Sequence, residues 1–441
     1  MTERMAQIEP APKIAPPVLR ERASYKWWVV FMLWFVCFFN YADRQAIFSV
    51  FPALEREFGF DKFQLGLIGS AFMWVYALGA PLAGYIGDRA RRKDLILGGC
   101  LFWSFVTVTT GWCGKLWQFV TVRALEGFGE TFYFPASVSL TSDYHGPATR
   151  SRALSFHQSG VYLGTIAGSW FGAWLADSYN WRLGFYCFGG AGLLLALLLF
   201  GLLREPRRGQ SESNGALALE PPLSVRETLR AVGRRPAPLL LMAAFFAANS
   251  VAGVFLAWTP TFLVEKFGFD MAKAGLYGTA FIHLSSAASV PLAGCLADSV
   301  ARRFAGGRVM IQALGLLVGA GFVVLVGLAA MTATLILGMV AFGFCKGFYD
   351  SGIFASLYDT VEPRARSTAA GLMNTVGWAG GAIGTMAFGA AANYGRYESP
   401  AENMSEAIAW GGCVYLIGAA LLVVVIVLAR RDRLAAKQHV A

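Results

Sequence analysis

Apolar runs close to 20 residues long recur from end to end of this 441-residue chain. About 20 such residues are what an α-helix needs to cross the hydrocarbon core of a bilayer. The runs fall at about 27–50, 64–86, 95–113, 116–140, 154–176, 183–203, 237–264, 272–297, 309–331, 333–359, 368–393 and 406–429. Twelve spans predict an all-α membrane protein, because inside lipid a helix satisfies its backbone polar groups within itself. Composition agrees: 15% of residues are charged and the mean hydropathy is +0.51, whereas a soluble domain carries roughly 25% charged residues. No cleavable signal peptide is expected, since the first 26 residues are polar and Pro-rich and the first apolar run is too long for one. The seven cysteines are scattered through apolar segments and predict neither disulfides nor a metal site.

The chain also repeats itself. "PLAGYIGDRARRK" at Pro81–Lys93 returns as "PLAGCLADSVARR" at Pro291–Arg303, with Gly84 and Asp88 answered by Gly294 and Asp298. "GFDKFQLGLIGSAF" from Gly59 matches "GFDMAKAGLYGTAF" from Gly268, and "GFGETFY" from Gly127 matches "GFCKGFY" from Gly343. Six spans followed by six more in the same direction make a parallel repeat about an axis along the membrane normal. The expected organisation is a tail (1–26), a six-helix bundle (27–203), a polar linker (204–236), a second bundle (237–429) and a tail (430–441).

Positive charge orients this array. If the N-terminus lies inside, the tails and cytoplasmic loops hold 27 of the 37 Lys and Arg, which places both termini in the cytoplasm. The net charge of +10 then needs no nucleic-acid partner. Its "RRK", "REPRR" and "RRDR" runs are topology signals in contact with anionic lipid headgroups.

The turn "GYIGDRARRKDLI" and the helix "RALEGFGE" at Arg123–Glu130 resemble signatures of the major facilitator superfamily, and the resemblance spans the whole chain. It implies a transporter built of two six-helix bundles that rock about a central site, acting as a monomer in the cytoplasmic membrane. One departure is Arg91, where such turns carry glycine. Gly84 would permit close helix approach, Asp88 would cap a neighbouring helix N-terminus, and Arg89 and Arg92 would pair with acids opposite. With Asp298 and Arg302 in the second half, these residues form a candidate gating turn that opens as the bundles rock. A plain charged loop is the alternative.

Ionisable groups inside hydrocarbon are costly and mark function. Here they are Asp43 and Arg44 in the first span, Arg123, Glu126 and Glu130 in the fourth, His157 in the fifth, His283 in the eighth, and Lys346 and Asp350 in the tenth. Arg123 and Glu130 are seven residues apart and share a helix face; Glu126 sits about 60° off it. Two arginines and two carboxylates could therefore meet inside one bundle and hold an anion and a proton. While a carboxylate pairs with an arginine its charge is balanced; when an anionic substrate takes the arginine, a proton takes its place, and this mutual dependence is symport. The alternative is a pair of salt bridges that only hold two helices together, a poor use of buried charge.

"NYADRQ" at Asn40–Gln45, "RALEGFGE" and "FLAWTPTFL" at Phe255–Leu263 narrow the resemblance to the anion:cation symporters, which include hexuronate, galactonate, glucarate and phthalate permeases. That likeness implies Asp43 and Glu130 as proton-handling acids and Arg44 and Arg123 as anion-side bases. It also implies Tyr41, Tyr76, Gln158 and Asn374 as polar groups lining the cavity. The same letters, with "REPRRG" at Arg204–Gly209, also resemble spinster-like transporters of lysolipids and sphingolipid phosphates. His157, His283, Glu126, Lys346 and Asp350 are accessory candidates; Lys346 and Asp350, four apart, could equally neutralise each other. Sodium stands as the alternative coupling ion. A membrane enzyme is disfavoured, since the four histidines have no ligand spacing and neither a nucleophile elbow nor a Walker loop is present. No cofactor or metal is expected.

Overall fold

Early in each half a helix closes on a left-handed glycine, Gly59 (φ 68°) in one and Gly268 (φ 64°) in the other, 209 residues apart. A β-carbon disfavours that conformation, so both positions call for glycine. The computed structural model describes residues 24–87, 89–206, 227, 230, 232–362 and 365–438. Asp88, most of the N-terminal tail and most of the linker lie outside the described residues. The first half runs α1 (Tyr25–Ser49), α2 (Phe51–Phe58), α3 (Lys62–Gly87), α4 (Arg92–Thr110), α5 (Leu116–Thr131), α6 (Tyr133–Tyr144), α7 (Pro147–Ser178) and α8 (Trp181–Leu202). The second runs α9 (Pro236–Phe267), α10 (Met271–Arg303), α11 (Gly307–Leu328), α12 (Thr332–Asp350), α13 (Ile353–Thr360), α14 (Arg366–Tyr394) and α15 (Pro400–Gln438). No strand occurs among the described residues.

Two expected spans, the fourth of each half, are broken. The fourth span is α5 and α6, meeting at Phe132; the tenth is α12 and α13, parted by Ser351 and Gly352. Pro135 accounts for the first break, because it offers no N–H to the carbonyl of Thr131, the last residue of α5. Pro81, Pro260 and Pro291 lie inside helices that continue through them.

Among the described residues, seven segments are apolar and long enough to cross a membrane on length and composition alone: α3, α8, α9, α10, α11, α12 with α13, and α15. The other five expected spans fall below that standard. They include the helices with the most polar interior faces: α1 carries Asn40, Asp43, Arg44 and Gln45, and α5 carries Arg123, Glu126 and Glu130.

Packing obeys the repeat. In the first half α1 lies on α7, α3 on α5 and α4 on α8; in the second α9 lies on α14, α10 on α12 and α11 on α15. A β-carbon on Gly168 of α7 would fall 2.1 Å from the carbonyl oxygen of Ala42 on α1, and one on Gly384 of α14 would fall 2.3 Å from that of Ser250 on α9. Glycine is what lets these helix pairs touch backbone to backbone. Gly168→Ala is expected to push α1 off α7 and lower the melting temperature of the purified protein, at an overpacking cost of about 1–3 kcal/mol. An unchanged melting curve would show that the helices separate freely.

The halves meet along α3 with α14 and α7 with α10, with further contact between α1 and α9. At one end, Lys62 Nζ lies 2.7 Å from Glu265 Oε1 of the other half and also pairs with Glu55. Nearby, Gln45 Nε2 donates to the carbonyl of Leu256 (2.8 Å), and the amide of Ala272 donates to Asp177 Oδ2 (2.8 Å). Deeper, Thr375 Oγ1 donates to the carbonyl of Ala77 (3.1 Å). α3 runs ten residues beyond Ala77, about 15 Å of helix.

Candidate functional site

The inner face of α1 carries Asn40, Asp43 and Arg44, each at most 4% exposed. Arg44 donates Nε to Glu130 Oε2 (2.9 Å) and also pairs with that oxygen through Nη2, which reaches Asn40 Oδ1 as well (3.2 Å). Its guanidinium is wrapped in rings, with centroids at 4.3 Å for Tyr41, 4.7 Å for Phe72, and 5.4 Å for both Tyr76 and Trp378. Within about 6 Å such faces attract a desolvated cation. Trp378 belongs to α14, so the second half of the chain closes the cage around a residue of the first.

Arg123 is fully buried. It pairs with Glu126 one turn along α5, lies 4.9 Å from the Phe72 ring centroid, and reaches the carbonyl of Arg44 at 3.4 Å. Asp43 accepts from the amide of Arg44 (2.7 Å) and from Thr107 Oγ1 of α4 (3.3 Å). Carboxylate oxygens of Asp43, Glu126 and Glu130 all lie within 4.8 Å of one another. The cluster thus holds three acids and two guanidiniums. Fully ionised it would carry one net negative charge in a dry interior, a costly state that one bound proton removes. Glu130 Oε1, Arg44 Nη1 and Arg123 Nε make no hydrogen bond here.

The sequence puts Arg123 and Glu130 on one face, but each finds another partner: Glu126 for Arg123 and Arg44 for Glu130. Glu126, which the helical wheel left off the stripe, belongs to the cluster. Tyr41 and Tyr76 stand beside Arg44. Gln158 is half-buried on α7, and Asn374 is exposed on α14. His157 lies 2.9 Å from the Tyr133 hydroxyl, which itself donates to the carbonyl of Leu33 (2.9 Å), so Nε2 of His157 is the donor. That bond joins α7 to α6.

Lys346 pairs with Asp350 one turn on. Lys346 and His283 sit on a cavity of about 170 Å³ between α9, α10, α12 and α14, with Met73 of α3 and Trp378 in its wall. The Tyr162 ring of α7 lies 6.0 Å from that of His283.

At the opposite end from Lys62, Arg92 pairs with Asp143, donates Nε to Glu205 Oε1 (3.1 Å) and Nη1 to Ser139 Oγ (3.2 Å). Asp143 and Ser139 belong to the first half and Glu205 to the start of the linker, so the contacts tie α4 to α6 and to the segment that follows α8. Arg89 stands on the turn after α3, and Gly84 lies in the last turn of that helix. In the second half Asp298 pairs with Arg308 (2.9 Å), which also holds Asp359 (2.7 Å). Arg302, the expected counterpart of Arg92, is exposed near the end of α10 instead, because that helix continues through Arg303. The signal was in the sequence: Arg92 and Asp143 match Arg308 and Asp359 at one offset of 216.

A two-bundle, broken-helix array with buried charge in α1 and α5 is the architecture of a membrane carrier, and the Major Facilitator Superfamily model matches residues 33–385. The chain belongs to that superfamily: it is a multi-pass membrane transporter of twelve spans. A probable anion transporter 4, chloroplastic, of Oryza sativa is 28% identical over 392 residues, 85% of this chain and 65% of the relative. Human protein spinster homolog 1 is 34% identical over 241 residues, 54% of this chain and 46% of the relative. The chain therefore spans less than two thirds of either protein. The probable galactarate/D-glucarate transporter GudP of Bacillus subtilis is 25% identical over 406 residues, 86% of each chain. The crystal structure of a bacterial homolog to the human lysosomal transporter Spinster, inward-facing and unoccupied, superposes with a TM-score of 0.75 at 24% identity, covering 93% of this chain and 98% of that one. That likeness concerns the fold.

Proposed function

We propose that the chain is a proton-coupled symporter of a small organic anion, working by alternating access in the cytoplasmic membrane with both termini inside. The charge count carries this reading: three buried acids against two buried arginines leave room for one proton. An anion that binds beside this cluster adds a second negative charge and makes the proton obligatory, so each ligand favours the other. Asp43 and Glu130 are the acids assigned to the proton, Glu126 being held by Arg123. With both termini inside, the Lys62 end faces outward, and the contacts there close the outer side of the carrier. The relatives named as an anion transporter and as a galactarate/D-glucarate transporter support the substrate class.

A second reading, export of a lysolipid as in spinster-like carriers, draws support from the 34% identity to human spinster homolog 1. Proteoliposomes decide between them. Uptake of a labelled carboxylate is expected to rise as the outside is acidified, to show counterflow, and to ignore sodium. Sodium-dependent uptake that is indifferent to pH would assign the wrong ion, and lysolipid export without carboxylate uptake would promote the second reading.

A further inference from the structure

The cavity beside Lys346 lies apart from the arginine–acid cluster yet shares a wall with it. Trp378 lines the cavity, and its ring stands 5.4 Å from the guanidinium of Arg44 and 4.6 Å from the ring of Tyr76. We propose that this cavity seats the anion: its carboxylate takes Lys346 from Asp350, and its body is an aromatic or alicyclic ring, not a polyhydroxylated chain. The inference rests on the organic-anion reading above and narrows it.

Charge selects the anchor. Arg44 is 4% exposed, bound to Glu130 and ringed by aromatics, so an incoming carboxylate has little access to it. Lys346 faces the cavity, and its partner Asp350 is the last residue of α12, with a side chain 36% exposed. When a carboxylate displaces it, Asp350 keeps that exposed side chain and does not become a fully buried unpaired charge, which lowers the cost of the exchange.

The walls select the body. Met73, Phe255, Leu256, Ile282, Phe342 and Trp378 are the large apolar side chains of the lining, while Asn249 and His283 are the polar side chains beside Lys346. The amide nitrogen of Asn249 already donates to the carbonyl of Phe245 at 2.9 Å. A hexonate would bring five hydroxyls into these surroundings, and each one left unpartnered bears its full desolvation cost. A ring gains by the same burial. The volume of about 170 Å³ also falls below the roughly 300–1,000 Å³ of drug-sized pockets, which suits a one-ring acid. A ring packed on Trp378 presses on the cage of Arg44, so the anion reaches the proton site without touching either arginine.

Calorimetry on the full-length protein in nanodiscs tests this with benzoate, cyclohexanecarboxylate, gluconate and a lysophospholipid. Benzoate and cyclohexanecarboxylate are expected to bind at least about tenfold more tightly than gluconate. Lys346→Gln should weaken benzoate by about tenfold or more, the size of one hydrogen bond to a charged group. Asp350→Asn should tighten benzoate, because the competitor for Lys346 is gone; this gain keeps the test decisive should Lys346→Gln fail to fold. Gluconate bound more tightly than benzoate, still through Lys346, would overturn the ring while leaving the organic-anion reading intact. Benzoate binding untouched by both variants would overturn the site. Binding of the lysophospholipid with no carboxylate bound would sink the inference and the organic-anion reading together.

Discussion

Replacing Glu130 with glutamine is expected to leave a carrier that exchanges its anion but no longer accumulates it against a gradient. The amide keeps an oxygen for Arg44 Nε, now 2.9 Å from the Glu130 carboxylate, and so keeps the tie between α1 and α5. What it removes is charge. Asp43 and Glu126 would then face Arg44 and Arg123 two against two, and the cluster would be neutral with no proton bound. Such a carrier is permanently in the loaded condition. A pH difference of one unit stores about 1.4 kcal/mol per proton, a tenfold concentration ratio at equilibrium. In proteoliposomes with that gradient the wild type should approach this ratio and Glu130→Gln should stay near one, while counterflow persists in both. Accumulation by Glu130→Gln equal to the wild type would remove Glu130 from the proton path. Asp43→Asn should behave alike if the proton is shared between the two acids, and should retain accumulation if Glu130 alone carries it.

Arg44→Ala should have the larger structural effect. Glu130 would lose its partner, and three acids would be left with Arg123 alone in an interior with almost no solvent contact. Breaking a buried pair by removing one member costs about 3–5 kcal/mol. The rings of Tyr41, Phe72, Tyr76 and Trp378 would lose the cation they enclose. Uptake should fall by at least about a hundredfold and the melting temperature should drop. Arg44→Lys returns the charge but neither the two-nitrogen contact with Glu130 nor a planar group to stack on the rings, so it should recover stability better than transport. Glu130→Gln in the Arg44→Ala background removes the stranded acid and should restore part of the melting temperature. If Arg44→Ala alone transports normally at unchanged stability, the pair is ornamental and the proton path lies elsewhere.

The spans were legible in the sequence because hydropathy is a local property and each helix closes its own hydrogen bonds. The repeat was legible too, since Gly59 with Gly268 and Pro81 with Pro291 sit at matched positions. So were the ionisable residues buried in apolar helices, each visible as a charge where a charge is costly. Which residue pairs with which was not. A period of 3.6 residues gives the direction of a side chain on its own helix, but a salt bridge depends on the distance across to the next helix. That distance follows from how closely α1 and α7 approach at Gly168, and α3 and α5 beside them. Tertiary structure therefore decided that Glu130 takes Arg44, which leaves Arg123 to its neighbour three residues along the same helix, Glu126. It also decided that Arg308 stands where Arg302 was expected, because α10 runs longer than the turn it was aligned with. Above all, it brought Trp378 from the opposite half, some 330 residues along the chain, onto the guanidinium of Arg44. No spacing rule reaches that far; only the packing of α14 on α3 does.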